Sequence, residues 1–96
     1  GYEKILLSKR TNFRGDYQYT KANQKMHADM SIDYTGDPDK DFIRGMIPHH
    51  QGAIDMAKVV LKYGKDPKVK ELAKNIILAQ KEEIKQMEEW IKKMKQ

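Results

Sequence analysis

Cysteine is absent from this chain of 96 residues, which excludes a disulfide framework and any thiolate metal site. Soft-metal chemistry would have to use thioether and imidazole, groups that tolerate conditions in which thiols are consumed. Long apolar runs are missing too, so nothing in the text is fit to cross a bilayer and no membrane insertion is expected. No signal-peptide pattern is present, and the opening Gly1 is compatible with a leader already removed or an anchor upstream. With three prolines and six glycines there is no linker-like stretch, and the length suits one domain with a modest core. Aromatics make up only 8%, and no base-stacking platform or helix-turn-helix pattern accompanies the basic residues, so nucleic acid is not an expected partner.

Charge is plentiful but arranged for solubility. The formal net charge is +5, carried mostly by lysines mixed with glutamates in the last third. Glu88/Lys92 and Glu89/Lys93 stand four apart, as on an exposed helix face.

The remaining text is helical. The spacing predicts a helix from Lys21 through "KANQKMHADMSI", halted by "DYTGDP". Asp37 and Pro38 then supply a cap and a first-turn proline, with Asp39 and Asp41 at the positive end of the dipole. Phe42, Ile43, Met46, Ile47, His50, Ala53, Ile54, Ala57, Val60 and Leu61 recur at three and four residues as one apolar arc. "KYGKDP" ends this helix and repeats the cap-plus-proline opening, and a last helix runs from Pro67 almost to the end. The short link favours an antiparallel hairpin. The expected class is therefore all-α: a small antiparallel helical bundle of three main helices. Residues 1–20 form an N-terminal extension and residues 21–96 the Met/His-rich domain. Within the extension, "YEKILL" fits a short strand or a helical turn, and "NFRGD" reads as a turn.

One stretch asks for more than packing. "RGMIPHHQGAIDMAK", residues 44–58, places a proline and adjacent histidines along a helix that should face a core. Pro48 cannot donate a backbone hydrogen bond and its ring crowds the Arg44 carbonyl, which predicts a kink able to re-aim Met46, His49 and His50. Met56 lies two turns from His49. Met26, His27 and Met30 form a second cluster, and Met87 falls on the buried stripe of the last helix. Thioether with imidazole suits Cu(I), and Ag(I) by the same softness, with Cu(II) acceptable to the histidines. Zinc would want cysteine or carboxylate help. A di-iron bundle needs Glu-x-x-His pairs, and no histidine here has a glutamate three residues before it.

Bland readings compete at each position. Methionine at core spacing is commonly a gap-filler, and Met56, Met87 and Met94 fit their stripe unaided. His27 reads equally as a surface residue. A half-buried histidine needs a hydrogen-bond partner, for which Gln80 is one candidate. Asp55 falls on the polar side, and no nucleophile-base constellation declares an enzyme.

From Met26 to Ile91 the chain resembles the bacterial CopM-like family, which was long catalogued as a domain of unknown function. The run from Met46 through His49-His50 to Met56-Ala57 carries the resemblance, and Gln80, Glu83, Ile84 and Met87 form a weaker second block. The resemblance implies a ferritin-like helical bundle exported to the periplasm or cell envelope. It implies copper and silver bound through Met26, His27, Met30, Met46, His49, His50, Met56 and Met87 in the service of copper tolerance. The expected function is thus copper capture and buffering or transfer, without catalysis, with a copper donor or acceptor protein as partner. The alternative is a non-metal interaction module, self-associating through the long C-terminal helix where Trp90, Ile91 and Met94 outreach shorter neighbours.

Overall fold

The computed structural model of the chain describes residues 13–94. Over that span it holds three helices and no strand: α1 (Phe13–Met30), α2 (Pro38–Tyr63) and α3 (Pro67–Met94). The all-α expectation holds.

The two long helices begin where their caps require. Asp37 accepts from the N–H groups of Asp39 and Lys40 at 3.1 and 3.3 Å. Asp66 does the same for Lys68 and Val69 at 2.8 and 3.4 Å. Each aspartate satisfies two donors that a helix start leaves unpaired, and proline follows at the position that needs none. At the end of α2 the Gly64 N–H donates to the Val60 carbonyl at 2.8 Å. Backbone at Gly64 is extended, with φ −78°, so glycine serves here for room. A Cβ would stand 2.5 Å from the Val60 carbonyl oxygen.

The first helix differs from expectation. It begins at Phe13 and not near Lys21, so residues 13–20 of the anticipated extension belong to it, and most of the supposed "NFRGD" turn is helical. Gly15 is buried within this helix and borders, with Val59, Val60 and Tyr63, a small cleft at the end of α2, a place that suits a glycine for close approach where sequence suggested a turning one. The "YEKILL" segment lies outside the described residues.

Between α1 and α2, Asp41 reaches back from the first turn of α2. Its carboxylate accepts from the Thr35 N–H at 3.0 Å, the Thr35 hydroxyl at 2.9 Å and the Gly36 N–H at 3.3 Å. These donors, the Thr35 backbone first, hold the carboxyl below the ordinary aspartate range.

Both flanking helices run antiparallel to α2 and pack on it, and they scarcely touch each other. Gly52 and Val59 of α2 are buried on the side of α1, while Ile43, Ile54 and Ala57 are buried toward α3. At about 100° per residue these two sets point in nearly opposite directions from the axis. The Cα trace accordingly measures 57 × 31 × 13 Å, three helices side by side in a shallow layer with α2 in the middle. Such a layer buries little: Ile54 alone among the described residues is fully enclosed, and the other core members are mostly small or β-branched.

Candidate metal-binding site

The candidate ligands divide between the two seams of α2. On the α1 side, Met26 lies directly over Gly52, where a Cβ would stand 2.5 Å from its sulfur. Met30 follows one turn later at the end of α1, half-buried. His27 is exposed, and its carbonyl accepts from the Ser31 hydroxyl at 3.3 Å. The glycine explains Met26 as packing: a flexible thioether fills the space that a missing side chain leaves.

The α3 side has different chemistry. His50 is half-buried, and its Nε2 meets a Glu83 carboxylate oxygen at 2.6 Å. A carboxylate accepts only, so the proton sits on Nε2. Nδ1 is buried and has no hydrogen-bond partner among the described residues. In the neutral imidazole that atom is a lone pair turned into the protein, an arrangement costing on the order of 1–3 kcal/mol when nothing meets it. The contact also fixes the hairpin register. Met46, one turn before His50, sits level with Met87, one turn after Glu83. Met87 is buried and Met46 half-buried. By this register two methionines stand one turn along the hairpin from His50.

His49 and Met56 belong to neither seam. Both are exposed on one open side of α2, with the His49 ring edge-on to His50 at 6.3 Å between centroids. The eight residues therefore share no common interior, which an open layer does not possess. Among the described residues there is also no group of three His, Cys, Asp or Glu suited to a metal ion.

Glu83 is the residue that sequence reasoning left out of the site. Gln80, one turn away on α3, was one candidate partner for His50. The register that brings Glu83 instead was legible in principle from the three-residue link, Gly64 to Asp66, which sets how the two helices slide past each other. Asp55, expected to be merely solvated, is half-buried and accepts from the Gln51 side chain at 3.0 Å. Helix α2 passes unbroken through Pro48.

A family profile described as a domain of unknown function, DUF305, matches residues 39–96. It covers α2 almost from its start and all of α3, and leaves out α1 with Met26, His27 and Met30. A curated relative, the uncharacterized protein L153 of Acanthamoeba polyphaga mimivirus, is 49% identical over 49 residues, which are 51% of this chain. That match spans about a third of the relative's length, 32%.

Proposed function

The chain belongs to the DUF305 family, and from that premise we propose that it binds Cu(I), with Ag(I) as a mimic, at the seam between α2 and α3. His50 Nδ1 would be the nitrogen ligand and Met46 and Met87 the thioether ligands. The buried, partnerless Nδ1 carries this reading. A carboxylate on one imidazole nitrogen orients the ring and raises the basicity of the other, which is how metal-bound histidines are commonly held. Glu83 is the orienting group here. Nitrogen and neutral sulfur donors suit a soft monovalent ion and serve Mg²⁺, Ca²⁺ or Zn²⁺ poorly.

The finer resemblance supports the same reading. The Met46 to Ala57 run resembles that of CopM-like copper proteins, a resemblance that would bring with it a ferritin-like bundle, a role in copper tolerance and a periplasmic or envelope setting. Thioether ligands need no deprotonation, so they release metal without taking up protons. Such a site favours buffering or transfer between a copper donor and an acceptor protein over catalysis.

Anaerobic Cu(I) titration against a competing chelator tests the proposal. Wild type should take up copper with an affinity that falls at least about a hundredfold in His50→Ala and about tenfold in Glu83→Gln, the range expected of an outer-shell partner. Titrations indistinguishable among the three proteins would refute it.

A further inference from the structure

Four large apolar side chains, Phe42, Met56, Leu72 and Trp90, are 65%, 41%, 57% and 45% exposed. They share one side of the layer. Ala53, Met56 and Val60 of α2 line an open groove together with Val69, Leu72 and Ile76 of α3. Phe42 precedes Val60 by eighteen residues and Trp90 follows Leu72 by the same interval. Eighteen residues are about five turns, so each aromatic points the way its counterpart does. The apolar strip therefore runs the length of the hairpin, with His49 and the His50–Glu83 pair near its middle. The reverse side is different: Lys21 and Lys25 of α1 and Lys58 and Lys62 of α2 rim a depression that Asp55 also lines.

We infer that two copies of this chain associate through the apolar side of α2 and α3, about a two-fold axis, so that two hairpins form one four-helix core. Helices of 26 and 28 residues are about 40 Å long, and two of them side by side are about 20 Å wide. The footprint is then about 800 Å² per copy, the size of a standard stable interface. A strip with few charges offers little to steer a differently charged partner, whereas antiparallel hairpins stack readily at the shallow angles of helical bundles. The reverse side carries charged rims in place of an apolar strip, so it offers no second face of the same kind on which a further layer would stack. The origin of the exposure also differs from the sequence expectation. Trp90 lies level with Ile43, well within the span of α2, so it is open because of its direction and not because α3 overhangs.

The residues substituted to test this association, Leu72 and Leu78, are not proposed copper ligands, and the measurements are made in the presence of a chelator. Light scattering on the full chain at about 100 μM should give twice the 11.3 kDa chain mass. Leu72→Glu should give the single mass at the same concentration with unchanged helical circular dichroism. Leu78→Glu, on the far side of α3 and 69% exposed, should leave the double mass intact. Trp90, the only tryptophan, should move to longer emission wavelengths on dilution through dissociation. A wild-type monomer at 100 μM overturns the inference. If its Trp90 emission is nonetheless blue-shifted, residues 1–12 would be the occupant. A double mass that survives Leu72→Glu, or appears only with copper, overturns it equally.

Discussion

The two seams of α2 use the same residue types to different ends. Toward α1 the contact is built on absence: Gly52 has no side chain, Ala22 and Val59 are small, and Met26 fills the space. Toward α3 the contact is built on Ile43, Ile54, Ala57 and Met87, and a polar pair interrupts it. A methionine over a glycine is accounted for by packing alone. A methionine one turn along the hairpin from a histidine whose buried nitrogen is unpaired among the described residues is in a chemical environment that packing leaves unsatisfied. The comparison teaches that a thioether gains meaning from its neighbours, and that counting methionines and histidines along a chain overstates a site.

The sharpest way to break the comparison is Gly52→Val. The new side chain would meet the sulfur, Cγ and Cβ of Met26 at 2.5 to 3.1 Å from its first atom alone, and overpacking of this kind costs about 2–3 kcal/mol. Chemical denaturation should show that loss, while Cu(I) affinity measured under native conditions stays within about twofold, because the affected seam is the other one.

A paired substitution sharpens it further. Met26→Leu and Met87→Leu each keep volume, and each should cost less than about 1.5 kcal/mol. Only Met87→Leu should lower Cu(I) affinity, by about tenfold or more, as removal of a ligand should cost at least what loss of an outer-shell partner does. Equal effects on copper from the two variants would erase the distinction between the seams.

The smallest expected effect concerns the loop that joins them to the rest of the layer. Asp41 has its carboxyl lowered in the folded state by the Thr35 and Gly36 donors, whereas in the unfolded chain it titrates near the ordinary value of about 3.9. Its contribution is therefore fully present above that value and is lost as pH falls through the lowered one. Asp41→Asn should reduce the melting temperature slightly at pH 7, with the difference from wild type shrinking below pH 4. A constant difference across that range would contradict the assignment.

The parts of the fold that the text disclosed are those with local causes. Asp37-Pro38 and Asp66-Pro67 could be read as helix openings because capping depends on a few neighbouring atoms. The beginning of α1 could not, because Gly15 has two uses, turning and close packing, and only the presence of α2 selects between them. Three- and four-residue spacing correctly gave the apolar arc of α2, yet it could not divide that arc. Ile54 and Phe42 both belong to it; the first is enclosed by α3 and the second stands open.

The candidate site was legible to the same depth. Met46, His49 and His50 announced themselves by being costly or unusual where they stand. Glu83 did not, since a glutamate on a lysine-rich helix is ordinary until an imidazole lies across from it. By itself the sequence determined three helices, the caps of the two long ones, and the direction in which each donor leaves its axis, because those follow from backbone geometry within a few residues. Only the tertiary structure decided which directions are interior and which donors share a seam, because burial is a property of what stands opposite, and among the described residues α2 has a helix against two of its sides and none against the others.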